Sequence, residues 1–145
     1  MIKRVAPHLF VGDTEDCRGY MPTVHACKYP CFKQIGYTRS YTLEVGDHLY
    51  LNMIDPPKPL FVMELFEHFF KYMGDHKDRD VLIHCNQGMS RSPTLALLHM
   101  VRQGTLEADN YTQAKNNFRD IYPKYNPGLG IQTYMDMHWQ ELICV

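Results

Sequence analysis

Apolar positions fall in short runs through the first half of the chain and recur at three- and four-residue spacing through most of the second. Residues 8–11 (HLFV), closed by Gly12-Asp13, predict a short strand ending in a turn, and residues 23–27 (TVHAC) predict another. Residues 48–54 (HLYLNMI) alternate loosely and are rich in strand formers. Asp55-Pro56-Pro57 stops them, because proline cannot donate to a ladder, and so Asp55 is expected at a strand's C-terminal end. Between these runs, residues 28–46 contain Pro30, Gly36 and scattered aromatics without a period, which predicts a long connection.

From residue 60 to 73, Val62, Leu65, Phe66, Phe69 and Met73 recur at helical spacing, with Glu64, Glu67, His68 and Lys71 mostly opposite and Gly74 placed to end the helix. Val81-Leu82-Ile83, bounded by charges before and a glycine-containing loop after, has the pattern of a buried central strand. The following SRSPTLALLHMVRQG predicts a helix with Pro93 in its first turn and Gly104 at its end. Two more helices are expected over 107–121 and 129–142, separated by the breaker YPKYNPG at 122–128. Strands alternating with helices, then a helical second half, predict one α/β domain over residues 1–145, with a central, largely parallel sheet and its ligand at the strands' C-terminal ends.

Composition narrows the function classes. A 145-residue chain with 45% hydrophobic and 21% charged residues can bury one core, and a net charge of −1 supplies no general field for nucleic acid or anionic membrane. No apolar run reaches the roughly 18 residues of a membrane span, and the start MIKRVAPH lacks a signal peptide's apolar stretch, so a cytoplasmic place is expected. Cysteines at 17, 27, 31, 85 and 144 are odd in number and without framework spacing, which suits free thiols in a reducing compartment.

The chemistry sits in His84-Cys85-Asn86-Gln87-Gly88-Met89-Ser90-Arg91-Ser92, between a predicted strand and a predicted helix. Backbone N–H groups of such a loop and of the helix's first turn can surround a tetrahedral dianion, with Gly88 allowing positive φ and close approach. Arg91 can add two parallel charge-assisted hydrogen bonds. The same positive field favours thiolate over thiol at Cys85, making it a nucleophile that can attack phosphorus and form a cysteinyl-phosphate. Ser92 is placed to hydrogen-bond the departing thiolate. Alone, a cysteine after an apolar strand is more often a buried small side chain. The preceding His84, the central Gly88, Ser90, Ser92 and the strand-to-helix context favour the functional reading.

HCNQGMSRSP resembles the signature loop of the dual-specificity branch of the cysteine-dependent tyrosine phosphatases: His-Cys, five residues, Arg, Ser/Thr. The resemblance implies that family's fold over roughly residues 8–138, with residues 4–12 as its first strand. It also implies a catalytic acid about thirty positions before the cysteine, where Asp55 stands, rather than Asp47 at the other end of its strand. By the same resemblance His84 supports the loop, keeping the cysteine ionised, and no metal or other cofactor is required. The family's Pro-Asn turn before its last helix is matched loosely by Tyr122 to Gly128, where Asn126 precedes Pro127 instead of following it.

The expected reaction is hydrolysis of phosphate monoesters, with a phosphorylated protein as partner. Positions 86–90 contain no lysine, unlike inositide-directed loops of this family, and Ser90 resembles protein-directed members, which favours phosphotyrosine, with phosphoserine and phosphothreonine also open. The alternatives are a catalytically silent phosphate-recognition module of the same fold and a phosphatase for RNA or a nucleotide. An arsenate reductase or low-molecular-weight phosphatase carries its loop near the N-terminus, which does not suit Cys85. His25, Cys27 and Cys31 make a poor metal set, since three ligands at this spacing match no strong zinc pattern.

Overall fold

The computed structural model describes residues 2–16, 22–27 and 41–144. Six strands, β1 (Lys3–Ala6), β2 (Leu9–Gly12), β3 (Thr23–Ala26), β4 (Thr42–Val45), β5 (His48–Leu51) and β6 (Val81–His84), form one sheet in the order β1-β2-β6-β3-β5-β4. The inner strands β2, β6, β3 and β5 are parallel, and the two edge strands are antiparallel to their neighbours. Gly12, His84, Ala26 and Leu51 therefore all end on one side of the sheet, where a parallel sheet places its ligands.

The described residues also form four α-helices: α1 (Met63–Asp75), α2 (Arg91–Gln103), α3 (Tyr111–Ile121) and α4 (Leu129–Ile143). Each has a local cause. α1 buries Leu65, Phe66, Phe69, Tyr72 and Met73, one apolar stripe that packs on β4 and β5. α2 covers β2 and β6 and ends at Gly104, whose φ of 78° lets its N–H close on the carbonyls of Met100 and Val101. α3 starts at Asn110, whose side chain accepts from the Gln113 N–H at 2.9 Å while Gln113 Oε1 accepts from the Asp109 N–H at 2.9 Å, a reciprocal cap. α3 and α4 pack against α2 and each other, and their buried side chains join the sheet's in one hydrophobic core.

The α/β class, the parallel centre and all four expected helices are present. Several boundaries differ. Residues 4–12, expected as one strand, fold into the β1–β2 hairpin, which turns at His8 with φ 63°. The segment 28–46, expected as a connection, includes β4; its first part, 28–40, lies outside the described residues. β5 stops at Leu51, three residues short of the expected end, and the chain to Asp55 is extended coil. Gly74 lies inside α1, which closes two residues later at His76, and α3 begins four residues after the expected 107 because Asn110 supplies the cap.

Candidate active site

β6 is buried at all four positions and delivers Cys85, 2% exposed, to the edge of the sheet where the parallel strands end. The chain then loops through Asn86 to Ser90 and enters α2 at Arg91. Gly88 has φ 67°, and a Cβ there would lie 3.0 Å from the Gly12 carbonyl oxygen, so both backbone conformation and space call for glycine.

The loop's carbonyls are held from outside. Thr14 Oγ1 donates to Cys85 O (3.3 Å), Thr14 N–H to Asn86 O (3.4 Å), Tyr122 O–H to Gly88 O (2.6 Å), Asn126 N–H to Met89 O (2.7 Å) and Thr94 Oγ1 to Ser90 O (2.7 Å). With its carbonyls turned outward, the loop turns its N–H groups inward. None of the N–H groups of 86–91 has a hydrogen-bond partner among the described residues. Inward-turned N–H groups of this kind make a nest, a geometry suited to an anion. Its anchoring continues through a buried hydroxyl chain, Thr94 Oγ1 to Tyr125 Oη to Tyr111 Oη, each step 2.7 Å. Burial pushes the Tyr125 hydroxyl up to about 12 and so keeps it a neutral hydrogen-bonding group.

Cys85 Sγ lies 3.2 Å from Ser92 Oγ, which also lies 3.3 Å from the Gly12 carbonyl. A serine hydroxyl has one proton: it can donate to Gly12 O while accepting from a thiol, or turn to the sulfur when that is a thiolate. Arg91 is 7% exposed, and its Nη1 donates to Met53 O at 2.8 Å, leaving the rest of the guanidinium fork for an oxyanion. Asp55 stands two residues beyond that carbonyl. The loop that carries Asp55 is also held at its far side, where Gly130 N–H donates to Pro56 O at 3.2 Å. A Cβ on Gly128 would lie 2.1 Å from Asp55 Oδ1, so the carboxylate rests against bare backbone at the start of α4.

Asp55, Cys85, Asn86, Gln87, Met89, Ser90 and Arg91 line one cleft of about 140 Å³. That is several times the roughly 30 Å³ share of one water, room for a tetrahedral oxyanion with solvent. A larger hollow of about 490 Å³ is lined by Met63, Glu67, Phe70, Lys71, Arg102 and Glu141, with no cysteine among them. Asp47 lies at the opposite end of β5, 3.1 Å from Arg79 and 3.6 Å from His76; the hydrogen bond from Arg79 chiefly holds its carboxyl below the usual range.

Of the remaining sequence candidates, His84 is fully buried and its Nε2 lies 2.6 Å from His25 Nδ1. Asn126 differs from expectation: it holds the loop through its backbone N–H while its side chain is exposed, and Gly128 instead follows the proline. Ser90 Oγ accepts from the Gly128 N–H at 2.9 Å, joining the loop to the start of α4. Cys31 lies outside the described residues, and among those described no three His, Cys, Asp or Glu side chains converge as a metal site. Thr14, Met53, Tyr122 and Gly128 were not legible as site residues. Only Gly128 carries a local signal, the Pro-Gly step before a helical pattern.

No protein-family model matches the chain, and no curated protein matches it in sequence. Solved structures do match in shape. The human tyrosine phosphatase-like serine/threonine/tyrosine-interacting protein superposes with a TM-score of 0.73 at 14% identity, over 99% of this chain and 98% of that one. DUSP15 gives 0.70 at 16% over 97% and 89%, and the PTP-2 phosphatase of Cydia pomonella gives 0.67 at 22% over 94% and 88%. The chain has the dual-specificity-phosphatase-like fold.

Proposed function

We propose that the protein is a phosphatase that hydrolyses phosphate monoesters through a cysteinyl-phosphate, with protein phosphotyrosine as the favoured substrate. The observation that carries this reading is the convergence of Cys85, Arg91 and Asp55 on one anion-sized cleft floored by inward-turned amides. Arg91 and the amides hold the non-bridging oxygens while the Cys85 thiolate attacks phosphorus and the phosphorus–oxygen bond of the ester breaks. Asp55 gives its proton to the leaving oxygen. In the second step Asp55, now a carboxylate, takes a proton from water as the water oxygen attacks phosphorus. The phosphorus–sulfur bond breaks, inorganic phosphate leaves, and Ser92 donates to the returning thiolate.

The test is pre-steady-state release of nitrophenol from nitrophenyl phosphate by the purified chain. A burst stoichiometric with protein, absent in Cys85→Ser, is expected. Cys85→Ser should still bind phosphate, and Arg91→Ala should lose both binding and turnover. Phosphate binding with neither a burst nor steady nitrophenol release by the wild-type protein would replace this reading with that of a recognition module.

A further inference from the structure

Single exposed apolar residues are ordinary on a soluble surface, but several gathered beside a cleft point to a contact. Seven large apolar side chains are exposed among the described residues, and three of them, Ile54, Leu60 and Leu129, belong to the two segments that meet at Asp55. Ile54, 37% exposed, immediately precedes Asp55. Leu60, 62% exposed, ends the stretch that follows, where its N–H donates to Lys58 O at 2.8 Å. Leu129, 64% exposed, stands between Gly128 and Gly130. Both glycines press on that stretch: a Cβ on Gly128 would lie 2.1 Å from Asp55 Oδ1, and one on Gly130 would lie 2.2 Å from Lys58 O and 2.3 Å from Pro56 O. Leu129 is thereby seated at the edge of the Asp55 segment with its side chain in solvent.

Under the mechanism proposed above, sulfur attacks in line, so the leaving oxygen lies on the far side of phosphorus from Cys85. Asp55 has to stand within about 3 Å of that oxygen to protonate it. Whatever the oxygen belongs to therefore begins beside Asp55 and lies against its neighbours, which are apolar. The opposite side of the loop is polar: Thr14, which bonds the carbonyls of Cys85 and Asn86, and Glu15 are both exposed. Among the described residues, Arg91 is the one cation lining the cleft, which matches a single phosphoryl group.

We infer that Ile54, Leu60 and Leu129 are specificity-determining residues, an apolar shoulder that takes an apolar side chain flanking the phosphorylated residue of a protein substrate. The inference deepens the reading above and rests on the ester binding in this cleft with its bridging oxygen beside Asp55. A peptide suits the shoulder because its chain continues past the phosphorylated side chain in both directions and brings a neighbouring residue with it. A nucleoside monophosphate would lay a polar sugar on the same ground, leaving hydroxyls against leucine and isoleucine.

The test titrates Cys85→Ser with two tyrosine-phosphorylated peptides, identical except for leucine or serine on both flanks of the phosphotyrosine, and reads the ratio of their dissociation constants. Both peptides meet the same preparation, so the ratio cancels any loss of folded protein. The leucine peptide should bind about tenfold tighter, the factor for burying most of one leucine side chain. In the same background, Leu129→Ser combined with Ile54→Ser should bring the ratio near one, while Leu129→Met should keep it. Met137→Ser, which removes an equally exposed apolar side chain about two turns further along α4, should also keep it. Equal binding of the two peptides, binding of neither, a ratio that survives in the double serine variant, or adenosine monophosphate binding more tightly than both would overturn the shoulder. Hydrolysis separates the two readings. A nitrophenol burst from the wild-type chain without peptide preference keeps the phosphatase and removes the shoulder. A preference with no nitrophenol release supports the shoulder as a recognition surface and removes the enzyme.

Discussion

Gly128→Ala tests the acid's position from the residue behind it. Gly128 has φ −65° and ψ 159°, a conformation open to alanine, so the substitution adds no backbone strain. What it adds is a methyl 2.1 Å from Asp55 Oδ1, 2.9 Å from Cγ and 3.2 Å from Oδ2. Relief to an ordinary contact moves the carboxylate by about 1 Å, and a displacement of that size at a reacting group can cost about a hundredfold in rate. Asp55 is exposed, so the move should disturb the fold little. The cap contributes separately, because alanine is a poorer N-cap than glycine by roughly 1 kcal/mol. Steady-state kinetics should show kcat for tyrosine phosphate falling by roughly ten- to a hundredfold, with a smaller loss for nitrophenyl phosphate, whose leaving group needs little protonation. In an Asp55→Ala background the same methyl should cost almost nothing, because the group it displaces is gone. Equal losses on both substrates, or full additivity in the double variant, would refute the reasoning.

Asp55→Ala alone should flatten the high-pH limb of the rate profile, while Asp47→Ala, at the far end of β5, should stay near wild type on both substrates; the reverse result would move the acid to Asp47. Tyr122→Phe removes the 2.6 Å bond to the Gly88 carbonyl and should lower stability by about 1 kcal/mol in urea unfolding and weaken phosphate binding. Acid should weaken the fold through one buried and one half-buried ring: burial lowers His25 to about 3 and His99 to about 4, from an ordinary 6.5. Both folded values are depressed, so this stability is complete above about 6.5 and is lost as pH falls, the unfolded chain taking up protons the fold refuses. At pH 5 each ring should have cost roughly 2 kcal/mol, and His99→Leu should show a pH 7-to-5 loss smaller by about that amount.

The strand, loop and helix carrying Cys85 and Arg91 were legible because their determinants are adjacent in sequence: a fully apolar strand, a glycine, and a proline in the first helical turn. Asp55 was legible only in part: the proline pair marks where the pattern stops, but β5 already ends at Leu51 and the chain reaches the cleft as extended coil. The hairpin at His8 was hidden because its strands are four residues each and the turn has no glycine. β4 was hidden because it is an edge strand whose residues are half-buried or exposed, so no alternation marks it. The hydroxyls of Tyr122 and Thr14 reach the loop from 34 and 71 residues away, a relation that only the folded chain expresses. The hydrogen bond between His25 and His84 likewise depends on strand order, which places β3 beside β6.

The hydrogen bond from Arg91 to Met53 O has a consequence for timing. One guanidinium joins the anion loop to the root of the acid's loop, whose other side is fastened at Pro56 to α4. A segment fastened on both sides does not behave as a flap that must swing shut over each incoming ester. Under the phosphatase reading proposed above, its order is set once, when the chain folds, and ester and phosphate would pass through a standing aperture.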